Sequence, residues 1–138
     1  MRRPTPEVQT ALARLLPQLN SALAVPDMAR LERLVADPDV TLLVAKDGDE
    51  IVGTTTVIVY TTPFWIKARL DEVVVEASAR GKGVGEALVN AALQVGREKG
   101  AQVAELQSGR GPNREAAHRL YERLGFRIRD SDVMRIVL

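Results

Sequence analysis

A glycine-rich segment that joins a strand-like run to a helix-like run is the feature that most restricts how this chain folds. Residues 80–85 read Arg-Gly-Lys-Gly-Val-Gly; they follow the apolar residues 73–75 after an interval of four residues and directly precede the helix-forming residues 86–89. Glycine permits positive φ angles and lets a ligand approach main-chain N–H groups that a Cβ atom would shield. The unpaired N–H groups of the following helix suit a phosphate or pyrophosphate. The segment predicts a binding turn for a phosphorylated cofactor, with a tight turn alone as the alternative.

Length and composition favour a single domain over residues 1–138. Hydrophobic residues make up 46% of the chain and charged residues 27%, which is ordinary for a globular protein. No apolar run is long enough to cross a bilayer, so we expect no membrane partner. Residues 1–6 are basic but lead into a polar amphipathic segment, not the apolar core of a secretory signal, and we therefore expect a cytoplasmic protein.

The residue inventory excludes several kinds of site. The chain has no cysteine and one histidine, His118, so disulfides, thiolate nucleophiles, thiolate metal sites and multi-histidine sites are excluded. We expect no metal. The net charge is +1 with mixed signs along the chain, and no basic block follows a nucleic-acid backbone. Nucleic acid is therefore not expected as the main partner.

The first half of the chain predicts two helices and then three strands. Thr5 caps a helix that begins near residue 6, and Asp27 caps a second helix that ends before Asp37. The residues between the second helix and the glycine turn are rich in β-branched side chains, and Asp47-Gly48 is a hairpin signal. The predicted strands cover residues 41–46, 51–60 and 67–75.

The second half alternates strand and helix. The amphipathic stretch 84–99 predicts a helix that Gly100 ends, and 101–106 predicts a strand that returns parallel to the previous one. A loop then leads to a second helix, for which Asn113 is the candidate N-cap and Gly125 the stop. The remaining predicted elements are that helix at 114–124 and two closing strands at 126–128 and 133–138.

Two well-known phosphate-binding patterns do not fit the glycine turn. A Walker A loop needs Lys followed by Ser or Thr after its last glycine, whereas Lys82 lies between glycines. A dinucleotide fingerprint needs G-x-G-x-x-G, whereas Gly81, Gly83 and Gly85 are spaced G-x-G-x-G.

The spacing instead matches [Arg/Gln]-x-x-Gly-x-[Gly/Ala], which Arg80, Gly83 and Gly85 fill. Some 35 residues later, Leu120-Tyr121 precedes Gly125-Phe126 in the pattern Leu-Tyr-x-x-x-Gly-Phe. With these two motifs the chain resembles the GCN5-related N-acetyltransferase (GNAT) superfamily, and within it the small-amine and aminoalkylphosphonate acetyltransferases. The resemblance implies an α/β (α+β) fold: a mixed, mostly antiparallel central sheet flanked by about four helices, with a strand pair that splays at the cofactor site.

The chain departs from the family pattern in two places. The family's first strand normally precedes the first helix, and only residues 2–4 are available for it here. Asn113 stands eight residues before Tyr121, where many members have seven. The first departure concerns whether the chain has this strand. The second concerns whether Asn113 contacts the cofactor as its family counterpart does.

The resemblance implies acetyl-CoA as cofactor, with its pyrophosphate on the main-chain N–H groups of the glycine turn. Its pantetheine arm would pair with the backbone of residues 73–75, where an N–H near Val75 would polarise the thioester carbonyl. Lys82 would approach a phosphate or remain a solvated surface lysine. The residues implied to contact the cofactor are Val73, Val74, Val75, Arg80, Gly81, Lys82, Gly83, Val84, Gly85, Glu86 and Asn113.

The resemblance also assigns catalytic roles. Tyr121 matches the tyrosine that protonates or hydrogen-bonds the departing sulfur, with simple packing of its ring as the alternative. An alkylammonium has a pKa of about 10, so the acceptor amine must lose a proton. Glu105 and Glu72 are the candidate general bases, with Asp71 or solvent as further alternatives.

The expected reaction is direct acetyl transfer to the primary amine of a small molecule. The alternatives are an acetyltransferase for protein N-termini or lysines, and an acyl-CoA-binding domain without turnover. A closed acceptor pocket lined by Arg69, Arg110 or Arg114 would favour a small acidic amine. Family habit suggests a possible homodimer.

Overall fold

The computed structural model of the chain describes residues 3–109, 111 and 114–138. This part of the chain contains four helices, four strands and two short 3-10 turns. The turns are at Leu16–Gln18 and Ala77–Ala79. In chain order they are α1 (Pro6–Leu15), α2 (Met28–Ala36), β1 (Val40–Asp47), β2 (Glu50–Thr61), β3 (Ile66–Val75), α3 (Val84–Glu98), β4 (Val103–Leu106) and α4 (Glu115–Arg123).

The predicted caps start the first two helices. The hydroxyl of Thr5 accepts a hydrogen bond from the N–H of Val8 at 3.2 Å, and Asp27 accepts one from the N–H of Arg30 at 2.8 Å. Each cap pairs an N–H group that the first helical turn leaves without a partner. These helix starts are therefore encoded within a few residues of sequence, as predicted.

The chain divides into two compact units, Met1–Gln107 and Ser108–Leu138. The first unit holds the whole sheet, in the strand order β1-β2-β3-β4. The pairs β1–β2 and β2–β3 are antiparallel, and β3–β4 is parallel. The hairpin between β1 and β2 turns through Gly48, at φ +61°. The expected parallel crossover after the glycine turn is thus confirmed.

The two faces of this sheet pack against different helices. One face packs against α1 and α2 around a hydrophobic cluster, and α3 packs against β2 and β3. The buried members of the cluster are Val8, Ala11, Leu12, Leu15, Leu31, Leu42, Ile51 and Val74. Because Val74 belongs to this cluster, the end of β3 is fixed to the core just before the glycine turn.

The second unit contains α4, which ends at Gly125 with φ +103°. Such left-handed backbone at a helix C-terminus is the geometry for which glycine is preferred. The N–H of Phe126 bonds the carbonyl of Tyr121 at 3.0 Å, which closes the helix end. The predicted stop at Gly125 is confirmed, whereas Asn113, the predicted N-cap, lies outside the described residues.

The prediction of two closing strands is wrong. Residues 126–128 and 133–138 join no ladder, and the side chains of Ile136, Val137 and Leu138 are exposed. A strand exists only where a neighbouring strand accepts and donates its backbone hydrogen bonds. The β-branched pattern predicted strand propensity, but propensity does not supply that partner. Arg3 and Pro4, the described part of the short first strand considered at residues 2–4, are also outside any strand.

No helix in the described part of the chain combines the length and the apolar character needed to cross a membrane.

Candidate active site

The glycine turn between β3 and α3 has the backbone geometry that its sequence predicts. Gly81 and Gly83 both have φ +82°, a conformation that side chains with a Cβ rarely adopt. A Cβ atom built on either glycine would meet no other atom within 4 Å. Glycine is therefore required here by backbone conformation and not by crowding, and open space remains beside the main chain for a ligand.

The N-terminus of α3 follows this turn without a side-chain cap. Gly83 is the N-cap residue, and it offers no side chain to pair the N–H groups of the first turn. Helix N-terminal N–H groups with partial positive charge bind anions well. Arg80 and Lys82 are exposed on the same turn and add two positive charges. Together these groups suit a phosphate ligand.

Two further glycines set the distance between α3 and the sheet. A Cβ on Gly53 of β2 would lie 2.8 Å from Cδ1 of Leu88, and one on Gly96 of α3 would lie 2.9 Å from Cβ of Ala68. Both distances are too short for ordinary packing, so glycine permits close contact near each end of the helix. Neither glycine is among the residues predicted from the sequence to belong to the site. A lone glycine within a strand pattern, as at Gly53, is the signal that could have found one of them.

The strands β3 and β4 separate at this end of the sheet. They pair only from Lys67↔Val103 to Leu70↔Leu106, and β3 continues to Val75 beyond the last described β4 partner. The N–H of Glu76 bonds the carbonyl of Val52 on β2 at 2.8 Å. Successive N–H groups of a strand point to opposite edges, so the N–H of Val75 is directed to the edge that β4 leaves open. An extended amide-bearing chain fits this edge as an added strand would.

A β-bulge interrupts β3 just before this open edge. Thr56 pairs with Asp71 and Thr54 with Val74, so Glu72 and Val73 together lie opposite one residue of β2, Thr55. Glu72 has φ +54° and is the one residue other than glycine with positive φ among those the structure describes. Left-handed backbone costs a residue with a Cβ about 1 kcal/mol or more. Strain of this kind is often found at functional sites.

The bulge changes which β3 side chains share a face. Simple alternation of β3 side chains predicts Asp71, Val73 and Val75 on one face of the sheet. Because of the extra residue, Val74 shares the face of Asp71 instead, and it is Val74 that enters the core. Register arguments from sequence fail wherever a bulge inserts a residue.

Glu72, one of the two candidate bases, has a perturbed acidity. Partial burial raises the pKa of the Glu72 carboxyl above its ordinary value, and the neighbouring Asp71 carboxylate raises this pKa further. A carboxylate accepts a proton from an amine more effectively as its pKa approaches neutrality. The direction of the shift therefore suits a general base.

Glu105, the other candidate base, lies in a network of paired charges. Its Oε1 is 2.7 Å from Nζ of Lys67 on the neighbouring strand. Arg69 follows Lys67 by two residues on β3. Its Nε lies 3.1 Å from Oδ1 of Asp71, and its Nη2 donates to Oε1 of Gln107 at 3.2 Å. These contacts line one face of the β3–β4 pair with polar groups. Arg69 is thus matched by a carboxylate of its own strand.

The residue that follows β3, Glu76, is held by α1 and the turn after it. Its carboxylate accepts hydrogen bonds from Nε of Arg14 and from Nε2 of Gln18, each at 3.0 Å. These bonds, first the one from Arg14 and then the one from Gln18, lower the pKa of Glu76. Oε1 of Gln18 in turn accepts the N–H of Ala77 at 3.1 Å. The backbone between β3 and the glycine turn is therefore tied to the first helix.

Tyr121 lies in the second unit, on α4, and its ring meets the ring of Phe126 edge to face at a centroid distance of 6.0 Å. Burial raises the pKa of the Tyr121 phenol, and the positive charge of Arg114 opposes this shift. A phenol with a raised pKa is protonated at neutral pH and donates a hydrogen bond.

The single histidine of the chain has a structural partner in the second unit, and two candidate site residues of that unit lie outside the described residues. His118 Nε2 is 2.9 Å from the carbonyl oxygen of Gly109, and because a carbonyl only accepts, the ring donates from that nitrogen. Asn113 and Arg110, candidates for the cofactor and acceptor sites, are both outside the described residues. Within the described ranges, no group of three or more His, Asp or Glu side chains is placed to hold a metal ion.

Comparison with known proteins gives a family match over most of the chain. The model of the acetyltransferase (GNAT) family matches residues 8–126. An uncharacterized N-acetyltransferase from Methanocaldococcus jannaschii is 36% identical over 59 residues. The aligned segment is 43% of this chain and 25% of that protein, so the match spans about a quarter of the relative's length.

Solved structures share the fold over nearly the whole chain. A transcriptional regulator from Bacillus halodurans superposes with a TM-score of 0.82 at 26% identity, covering 99% of this chain and 97% of that one. An aminoglycoside acetyltransferase from an uncultured soil metagenomic sample, in complex with sisomicin, superposes with a TM-score of 0.79 at 20% identity. That alignment covers 94% of this chain and 86% of the other.

Proposed function

The chain belongs to the acetyltransferase (GNAT) family, and from this premise we propose that it transfers the acetyl group of acetyl-CoA directly to the primary amine of a small molecule. The observation that carries the proposal is the adjacency of two features in one unit. An uncapped helix N-terminus follows a turn with two positive-φ glycines, and the strand before that turn has an open edge. A molecule that joins a pyrophosphate to an amide-bearing arm would use both.

The described residues fit acetyl-CoA, which when bound supplies an acetyl group activated as a thioester. The main-chain N–H groups from Gly81 to Glu86 would hold its pyrophosphate, and Arg80 and Lys82 would add charge. The open backbone of residues 73–75 would hold the arm, and the N–H of Val75 would stabilise negative charge on the acetyl oxygen.

The base that we propose for the acceptor is Glu72. Its raised pKa favours proton acceptance, and it adjoins the backbone that would hold the acetyl group. Glu105 is paired with Lys67 at 2.7 Å, which makes it the better candidate for orienting the acceptor. In the proposed transfer Glu72 would take the proton of the neutral amine as the amine nitrogen bonds the acetyl carbon, and the sulfur would leave with the electrons of the carbon–sulfur bond as coenzyme A thiolate.

Tyr121 is the group that we propose for the departing sulfur. A protonated phenol can donate a hydrogen bond to developing negative charge without full proton transfer. Because the pKa of Tyr121 is raised, donation of a hydrogen bond is favoured over loss of the proton.

Charge on the strands supports an amine-bearing small molecule as acceptor. Along β3 and β4, the carboxylates Asp71, Glu72 and Glu105 outnumber the cations Lys67 and Arg69. Because Arg69 bonds Asp71, the charge of this candidate for binding an acidic acceptor is already matched. A cationic amine suits this balance better, and the aminoglycoside acetyltransferase with the same fold acts on molecules of that kind.

The test measures release of free thiol from acetyl-CoA in the presence of a panel of primary amines, including aminoglycosides, amino acids and a lysine peptide. We expect turnover with a small amine and little with the peptide. Wild-type protein that neither binds acetyl-CoA nor turns over with any amine would refute the proposal. Turnover only with the peptide would replace the small-molecule acceptor with a protein.

A matched pair of glycine variants locates the binding turn. Gly83→Ala and Gly48→Ala each place a Cβ at positive φ in open space, so each should lose about 1 kcal/mol of stability. Only Gly83 lies at the proposed cradle. We expect the dissociation constant for coenzyme A, measured calorimetrically, to rise about 10-fold or more in Gly83→Ala and to stay unchanged in Gly48→Ala. Equal effects in the two variants would contradict this location.

A further inference from the structure

The hydroxyl of Thr55 is the side chain that meets the β3 bulge from the neighbouring strand. Thr55 lies in the middle of β2 and is fully buried, at 0% exposure. Its Oγ1 donates a hydrogen bond to the main-chain carbonyl oxygen of Asp71 at 3.0 Å. Asp71 is the last residue of β3 in regular register before the bulge begins at Glu72.

This hydrogen bond ties β3 to β2 at the point where the regular pairing of the two strands stops. Where two residues lie opposite one, the regular exchange of N–H and C=O groups between strands is interrupted. A buried side-chain donor adds a tie across this interruption, and its removal leaves the carbonyl oxygen with one hydrogen bond fewer. The bond also fixes the peptide that leads into Glu72, the residue held at φ +54°.

We propose that Thr55 is a positioning residue for acetyl transfer: its hydroxyl holds the bulge that directs the main-chain N–H of Val75 to the acetyl carbonyl and presents Glu72 to the acceptor. The inference rests on the proposed function, because it assigns a role to Thr55 within that site. Thr55 touches neither substrate, and it acts through the β3 backbone.

The adjacent residue provides a matched control. Thr54 is 1% exposed, and its hydroxyl donates to the carbonyl oxygen of Leu43 on β1 at 2.8 Å. Thr54→Val therefore removes one buried hydroxyl and one hydrogen bond to a main-chain carbonyl, just as Thr55→Val does. The difference is that the Thr54 bond joins β2 to β1, where the register is continuous from Val40 to Ala45, and the Thr55 bond joins β2 to β3 at the β3 bulge.

The experiment compares Thr55→Val, Thr54→Val and the conservative variant Thr55→Ser in the full chain. The main readout is the infrared carbonyl stretch of acetyl-CoA bound to each protein, labelled with ¹³C at the carbonyl carbon. A hydrogen bond to the carbonyl lowers this frequency. We expect the lowered frequency in the wild type, Thr54→Val and Thr55→Ser, and a return toward the value of free acetyl-CoA in Thr55→Val.

Kinetics provide the second readout. Loss of one donor to a developing oxyanion lowers kcat about 100-fold or more, and a displaced donor should cost about 10- to 100-fold. We expect this loss of kcat in Thr55→Val with little change in KM for acetyl-CoA, since the glycine turn is intact. Thr55→Ser should recover most of the rate.

A third readout needs no ligand. Hydrogen exchange of the main-chain amides from Glu72 to Val75 should accelerate in Thr55→Val and not in Thr54→Val. If Thr55→Val does not fold, as judged by circular dichroism, Thr55→Ala and Thr54→Ala replace the valine pair and Thr55→Ser keeps its role.

Equal carbonyl frequencies and equal kcat in the Thr55 and Thr54 variants would overturn the positioning role. That outcome leaves the wild type active and is distinct from failure of the proposed function, in which the wild type itself does not bind acetyl-CoA.

Discussion

Two neighbouring segments of the first unit use left-handed backbone in different ways. The turn after β3 adopts it at Gly81 and Gly83, where the absence of a Cβ makes it inexpensive. The bulge in β3 adopts it at Glu72, where it is strained. The positive φ angles of the glycine turn are allowed by its own residues, whereas the bulge is bonded by Thr55 from another strand.

This difference shows which residues set the backbone geometry of each part of the site. The backbone angles of the glycine turn are those that glycine permits, so this part of its geometry is set by the local sequence. The bulge depends on side chains far away along the chain, and its geometry can be lost through residues that touch no ligand. We therefore expect substitutions at the two segments to affect different measurements.

The largest expected effect comes from the bulge carboxylate. If Glu72 is the base, Glu72→Gln should lower kcat about 100-fold, within the range that general base catalysis contributes, and should remove the low-pH limb of the rate profile. Glu105→Gln is the matched comparison on β4, and its profile should keep that limb. Loss of the limb in Glu105→Gln alone would exchange the roles of the two residues.

A reciprocal swap of residue types tests the contrast in backbone strain. Glu72→Gly should raise the free energy of unfolding by about 0.5 kcal/mol, because relief of the strained φ exceeds the entropic cost of glycine. Gly83→Ala should lower it by about 1 kcal/mol. Urea unfolding measures both. A stability loss in Glu72→Gly would show that the bulge is not strained.

The smallest effect concerns the carboxylate that follows β3. The folded-state pKa of Glu76 is lowered, so its hydrogen bonds stabilise the fold at pH values above the unfolded pKa of about 4.3 and lose this contribution as the pH falls through the folded value. Glu76→Gln should therefore melt below the wild type at pH 7, with the gap closing toward pH 3. Thermal melts across that range measure it, and a constant gap would contradict the assignment.

Much of the fold could be predicted from short stretches of sequence. Thr5 and Asp27 cap their helices, Gly125 ends α4, and Gly48 lies in the β1–β2 turn, as expected. Each of these signals acts over at most four residues. The groups that interact are therefore all present in the short stretch of sequence that carries the signal. The two family motifs likewise predicted the fold that the comparisons support.

The closing strands show the limit of such signals. Residues 133–138 have the composition of a strand and join no ladder. Residues 71–75 have a similar composition and pair with β2, although a bulge breaks their alternation. Composition indicates the strand propensity of a segment. Whether the segment forms a strand depends on a pairing partner elsewhere in the chain.

The sequence by itself determined the positive-φ glycine turn, the uncapped start of α3 and the family, because these depend on neighbouring residues. Only the tertiary structure decided the rest of the site: the bulge at Glu72, the pairing of Glu105 with Lys67 and the bond from Thr55 to Asp71. The physical reason is separation along the chain. Thr55 acts on a carbonyl 16 residues away, and Arg14 holds a carboxylate 62 residues away, and no local pattern records such contacts.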